Sequence, residues 1–526
     1  MNCVTWKRRL VLLTGVALLG IGAHPRAQAQ NYTWNVANGA FDNPANWNPN
    51  GVPGLLDDAA INNGGTATFN VPLVEVNSLG IATDAGTTGT LAVTGGDLFG
   101  KGIRIGENGT GFATVNNGIL RADGSGSLFV GGQDGTGTGT LTVSGGPATR
   151  VTSGDDIGVG RVGTGTLNMQ GGELAGGYTF IGKYGTGTWN HSGGLFRQSF
   201  GDVEIGDGGR PDQIDNPGPR TGTVNISGGV LQVADSFAIG NRSGTGTVNI
   251  SGGILSVTGG NADNGNIYVG RGADWQGEPS GSGGPVSLRV TGDDSIIIAD
   301  GSFSMNTESV AVSSTLIAEI TGTTHTTIRV TGDANITNGK LAVDLTGYTP
   351  VSGNSWTILT AGADITADKT AVDAIVATAG FDPLTHSEGG VPGALIGTFA
   401  STDFSLAPLT AGLSWQVDYL NNSVVLKIVG SAPTFTADFN HDGRVDGADL
   451  NVWKGAFGPT AGADANGDGK SDGTDFLTWQ RQFGSGVPAT GAVGAVPEPA
   501  SIALLGLATT AMVVYGRSRR NQANVA

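Results

Sequence analysis

The chain has 526 residues, enough for several domains, and its 27 Lys+Arg against 44 Asp+Glu give a formal net charge of -17, which argues against nucleic acid as a partner. Charged residues make up only 13% and glycine numbers 93, a share found in disordered chains. Here, however, the glycines are periodic, and the single cysteine, Cys3, excludes a disulfide scaffold.

Lys7, Arg8 and Arg9, an apolar run over 10–21 and Ala27-Gln28-Ala29 fit a secretory signal, residues 1–29, cleaved after Ala29. The protein is thus expected to be exported, and Cys3 leaves with that segment. Residues 30–87, with Trp34, Trp47, Pro53 and Asp57-Asp58, read as an N-terminal β cap, since a stack of strands needs its first rung covered.

From about Thr88 a cassette recurs: Gly-Thr-Gly-Thr, a short strand, Gly-Gly, a second strand, then a strand ending in Ile-Gly or Val-Gly. The Gly-Gly pairs that begin at Gly145, Gly171, Gly193, Gly228 and Gly252 recur at steps of 26, 22, 35 and 24 residues. The long step holds an inserted loop from Asp207 to Arg220. A period in the twenties built of short strands predicts a mainly β fold, a parallel β-helix (β-solenoid) over 88–287. About seven coils at ~4.8 Å per rung would form a rod on the order of 35 Å long.

Alternation assigns the faces. Leu167 with Met169, Val224 with Ile226 and Val248 with Ile250 point inward, while Asn168, Asn225 and Asn249 point out and stack as a polar ladder. Ile105, Val130, Val159, Ile181, Ile205, Ile239 and Val269 face the core from the later strand. Residues 288–430, with alternating strands such as 328–330, 341–345 and 356–359, are expected to be further β-helix or a β-rich C-terminal cap.

Residues 434–486 write one loop twice. The first copy places Asp438, Asn440, Asp442, Arg444, Asp446 and Asp449 at positions 1, 3, 5, 7, 9 and 12, and the second places Asp464, Asn466, Asp468, Lys470, Asp472 and Asp475 there. Gly443 and Gly469 occupy position 6. A hard cation wants six to eight oxygens, which an EF-hand-type loop supplies from these positions, with the carbonyl at 7 and glycine at 6 for the turn. Two calcium ions are expected. The 26-residue offset continues through Trp453 and Trp479, Phe457 and Phe483, and Gly458 and Gly484, so each loop opens into a short amphipathic helix.

This duplicated loop-helix resembles a dockerin type I module, which carries Asp rather than Glu at position 12. The resemblance implies a small α domain folded by calcium and a cohesin-type partner met by positions 10 and 11, here Gly447, Ala448, Gly473 and Thr474. The glycine-rich coils resemble the autotransporter-associated repeats of PEP-CTERM proteins. After a linker, 487–495, the tail 496–520 reads Val496, Pro497, Glu498, Pro499, an apolar helix over 502–515 and Arg517, Arg519 and Arg520. This resembles a PEP-CTERM sorting signal, which implies an exosortase-type partner in the membrane and release to the surface or matrix. A plain tail anchor is the alternative.

Catalysis on a β-helix would need carboxylates, or a base with calcium, clustered on one face, and no such cluster stands out. Asp155-Asp156, Glu204 with Asp207, and Asp293-Asp294 read as turns or solvated loops. His191 occupies the inward slot of Met169 and Ile226, and His325, His386 and His441 lack metal-ligand spacing. The function expected is that of an exported surface or matrix protein, structural or adhesin-like, with a surface glycan among its partners. The alternative is a dockerin-bearing component of polysaccharide degradation.

Overall fold

The computed structural model describes residues 28–122, 126–208, 220–241, 244–258, 265–271, 284–306, 314–382, 392–430 and 435–485. They fall into two compact units. The first is formed by the described residues of Met1–Tyr348, Trp356–Ala407 and Asp418–Val425, and the second by those of Thr349–Ser355, Pro408–Val417 and Leu426–Ala526.

The first unit is a parallel β-solenoid whose coils have three faces. The coil opening at Thr164 shows the plan. Strand Thr164–Gly176 passes through the Gly171-Gly172 pair and so serves two faces, Thr179–Ile181 forms the third, and Thr186 re-enters the first. Each coil hydrogen-bonds in parallel to the next, with Thr164, Thr186, Thr221 and Thr245 in one register. The pairing slips between Met169 and Glu173, where the strand bends. Gly172 takes φ +71° at that bend, a backbone state that only glycine enters cheaply.

Alternate side chains point into the stack, and like residues meet like. Leu141, Leu167, Trp189, Val224, Val248 and Leu288 form one inward row, each at most 1% exposed. On the third face Ile105, Val130, Val159, Ile181, Ile205, Ile239 and Val269 are fully buried. On the outside of the first face an amide ladder links Asn168, Asn190, Asn225 and Asn249. Each asparagine Nδ2 donates to the Oδ1 of the coil before at 2.9 Å.

The ladders extend beyond the recognisable repeats. Strand Asn63–Phe69 pairs with Thr88–Val93, strand Thr245–Val257 with Val286–Thr291, and Lys340–Leu345 with Ser401–Leu406. At ~4.8 Å per rung, about a dozen rungs make a stack on the order of 55 Å, longer than the cassettes alone indicate. At its first end the pairing of Thr33-Trp34 with Trp47-Asn48 is antiparallel. There Trp34, Trp47, Phe41 and Phe69 pack edge to face at 4.9 to 5.7 Å, and Trp47 Nε1 donates to the Phe41 carbonyl at 2.7 Å.

Residues 288–430 depart from an all-β reading, because they contain helix α1, Thr366–Thr378. It lies on the outside of the second face, where Leu195, Val230, Ile254 and Ile296 stack in register. Val372 and Val376 join Leu195, Val230, Ile254 and Ile298 in one buried cluster. The same outer row carries Arg150 and Glu173 in the preceding coils, paired at 2.7 Å. The row is therefore charged before the helix begins to cover it and apolar beneath it. Lys369 Nζ to Asp300 Oδ1 at 2.5 Å and Arg329 Nε to Asp368 Oδ2 at 3.3 Å pin the start of the helix. A 13-residue helix is about 20 Å long, which matches about four rungs.

Candidate metal centre

In the second unit Ile428 and the Gly353-Asn354 turn exchange backbone hydrogen bonds at 2.9 and 3.0 Å. The duplicated segment then folds as two loop-helix halves, with helices α2, Gly447–Ala456, and α3, Gly473–Gln482. The loops close by one pattern. Asp438 accepts from the backbone N–H of Asp442 at 3.1 Å and of Gly443 at 2.8 Å, and Asp464 accepts from Asp468 at 3.1 Å and Gly469 at 2.7 Å. Asn440 Oδ1 and Asp442 Oδ1 each accept a backbone N–H two residues on, at 3.0 Å, as do Asn466 and Asp468. Gly443 and Gly469 both take φ +85°.

Asp446 and Asp472 cap the helices, and Asp449 and Asp475 complete the capping boxes. Asp449 and Asp475 are fully buried. Their carboxylates accept from Asp446 N at 2.8 Å and Asn440 N at 3.2 Å, and from Asp472 N at 2.7 Å and Asn466 N at 3.1 Å. The side-chain bond from Thr474, then its backbone N–H, holds the Asp472 carboxyl below its ordinary value. Gly447, Ala448, Gly473 and Thr474 are all exposed.

The halves grip each other reciprocally. Trp453 Nε1 donates to the Asp472 carbonyl at 2.9 Å, and Trp479 Nε1 donates to the Asp446 carbonyl at 2.9 Å. Ser471 bridges Gly458, while Val445 exchanges bonds with Gly484 and Ser485 at 2.9 Å. Such exchange of equivalent contacts is the mark of a two-fold relation. Phe476 lies between the two indoles, 4.9 Å from Trp453 and 5.5 Å from Trp479.

What this arrangement offers a cation is hard and oxygen-only, set on a glycine-permitted turn. Each carboxylate has lone pairs beyond those its backbone partners use. Among the described residues, no three His, Cys, Asp or Glu side chains already stand gathered as a ligand group.

The other candidate residues are dispersed. His191 is fully buried, edge to face with Trp189 at 5.8 Å, and burial lowers its pKa to about 3, so it is a neutral core residue. His325 Nε2 lies 3.1 Å from the Val290 carbonyl, and burial lowers its pKa too. His441 sits in the first of the two loops with φ +60°, and His386 lies outside the described residues. Glu204 accepts from Asn241 Nδ2 at 2.7 Å, and Asp207 lies 3.4 Å from Lys183 Nζ. The Asp156 pKa is raised by burial and then by Asp155, and Asp293 accepts from Thr324 Oγ1 of the next coil. Sequence reasoning missed the groove on the third face beside Lys101 and Arg104, because a concavity depends on which outward residues are small.

Residues 495–520 match the PEP-CTERM protein-sorting motif. No curated protein and no solved structure matches the chain. The motif implies an exported, cell-surface-associated protein recognised by an exosortase-type sorting enzyme. Val496, Pro497, Glu498, Pro499, the apolar run after them and residues 1–27 of the expected 1–29 signal lie outside the described residues. No helix among the described residues is long and apolar enough to cross a membrane.

Proposed function

We propose that this is a structural or adhesin-like protein of the cell surface or extracellular matrix, in which the solenoid is a spacer and the loop-helix pair is a calcium-folded module. The observation that carries the spacer reading is the parallel ladder repeated from coil to coil, whose outer first face presents repeated asparagine amides in place of a convergent acid-base pair. In the module, Asp438, Asn440, Asp442, Asp446, Asp449 and the Arg444 carbonyl would hold one calcium ion. Asp464, Asn466, Asp468, Asp472, Asp475 and the Lys470 carbonyl would hold the other. Bound calcium would supply charge balance for the loop carboxylates. The loops contribute backbone N–H groups that orient those oxygens, and the caps tie each loop to its helix.

A chelator test decides the metal reading. The purified mature chain, followed by tryptophan fluorescence and helical circular dichroism, should lose the module's signal in EDTA and regain it with excess calcium. Unchanged spectra and melting would overturn the assignment. The second reading, a dockerin docking onto a cohesin in polysaccharide degradation, draws on the exposed Gly473-Thr474 pair at the start of α3. It predicts calcium-dependent capture of a cohesin domain and saccharide release from a polysaccharide panel, and release abolished by changing surface carboxylates would displace the spacer reading.

A further inference from the structure

Between the early coils, the outside of the third face is hollow. Ser78 and Gly102 are register partners, as are Arg104 and Phe129 one rung on. A Cβ added at Gly102 would meet nothing within 4 Å, so the outward row leaves a gap where a side chain would stand. The gap is a groove of about 310 Å³ lined by Asn77, Ser78, Lys101, Arg104, Phe129 and Gln133, among others. That volume is at the lower end of small-molecule sites.

Its chemistry is unlike that of the chain around it. In a chain of net charge -17, two exposed cations, Lys101 and Arg104, stand on the strand that carries Gly102, on either side of it. Lys101 has no ion-pair or hydrogen-bond partner among the described residues. Arg104 spends only its Nε, on Gln133 Oε1 at 2.9 Å, which leaves both Nη groups to donate. Gln133 is itself fixed: its N–H donates to Glu107 Oε2 at 2.8 Å, and its carbonyl accepts from Arg161 Nη1 at 3.1 Å. On the adjoining strand, Asn77 Nδ2 and Ser78 Oγ donate to Asp58 Oδ1 at 2.9 and 2.6 Å. What they have left is one Asn77 Nδ2–H donor together with acceptors, the amide oxygen and the hydroxyl lone pairs.

We infer that this groove binds a carboxylate-bearing sugar unit of an acidic polysaccharide, with Lys101 and Arg104 on the carboxylate and Asn77 and Ser78 on the sugar hydroxyls. A bare oxyanion would use the cations and leave the acceptors idle, while a neutral sugar would use the acceptors and leave both cations unpaired. The uronate uses both. The inference rests on the surface-adhesin reading for its source of ligand and not on the calcium assignment.

The test is calorimetric titration of the mature chain with trigalacturonate, cellotriose and sodium sulfate in parallel. Trigalacturonate should bind, more weakly at high salt, and Lys101→Gln and Arg104→Gln should each weaken it about tenfold, as expected for a charge-assisted hydrogen bond. Gly102→Leu, at a position with ordinary backbone angles and open space, should abolish binding with the melting temperature unchanged, and Lys454→Gln should leave it intact. Equal affinity for cellotriose or for sulfate, or trigalacturonate binding that survives Gly102→Leu, would overturn the assignment. No binding by any saccharide would also overturn it while leaving the chelator response, and hence the module's reading, standing.

Discussion

The solenoid and the loop-helix pair are both built from internal repeats, yet the repeats meet in opposite ways. In the solenoid each coil meets the next by translation, so that Thr164 faces Thr186 and Asn190 faces Asn168. In the loop-helix pair two halves meet face to face, so Trp453 reaches the second N-cap while Trp479 reaches the first. Translation can continue indefinitely and leaves an open rung at each end, which is why aromatic packing and an antiparallel strand occupy the first end of the stack. A two-fold pairing closes itself after two copies, so few residues suffice if each half satisfies the other's backbone.

The sharpest way to break the translational half is at a corner. Gly182 takes φ +71°, and a Cβ there would stand 1.9 Å from the Thr221 carbonyl of the next coil. Gly182→Val should therefore cost at least about 4 kcal/mol, seen as lost β circular dichroism and fast proteolysis. The next effect depends on pH. Buried His191, with a folded pKa of about 3 against an unfolded value of ~6.5, binds fewer protons when native. Its contribution is whole above pH 6.5 and is lost as pH falls toward 3. Denaturant titrations should show stability falling by up to ~1.4 kcal/mol per pH unit in that window, and His191→Met, the residue held by the preceding coil at Met169, should remove that slope.

The two-fold half makes smaller and non-additive demands. Trp453→Phe and Trp479→Phe each delete one bond to a helix-cap carbonyl and should cost about 1–2 kcal/mol. The double variant should cost less than their sum if the halves close as one unit, measured as thermal melting of the loop-helix pair. Last comes the amide ladder. Asn225→Ala breaks two side-chain bonds at a half-exposed site and should cost about 1 kcal/mol, detected as a small shift in denaturant midpoint.

Much of this was legible because a repeat states its own register. The inward rows, the asparagine ladder and the burial of His191 follow from period-two alternation set between glycine turns, and the paired loops follow from spacing. Helix α1 was not read, although its signal was present. Leu195-Phe196, Val230-Leu231, Ile254-Leu255 and Ile296-Ile297 are adjacent apolar pairs, and a strand that is apolar on consecutive positions is covered on both sides. The alanine-rich stretch from Thr366 to Thr378 is the cover, but it lies about 70 to 170 residues downstream, and periodicity carries no information about what lands on an outer face.

By itself, the sequence determined the local repeat: which residues face in, where the chain must turn, and where hard oxygen donors recur, since all of these depend on neighbours a fixed short distance apart. Only the tertiary structure decided where the stack begins and ends, which outer face the helix covers, how the tryptophans cross between halves, and that a missing side chain at Gly102 opens a groove beside two cations. Each of those depends on contacts between residues remote in the chain, whose partners are set by packing and not by spacing.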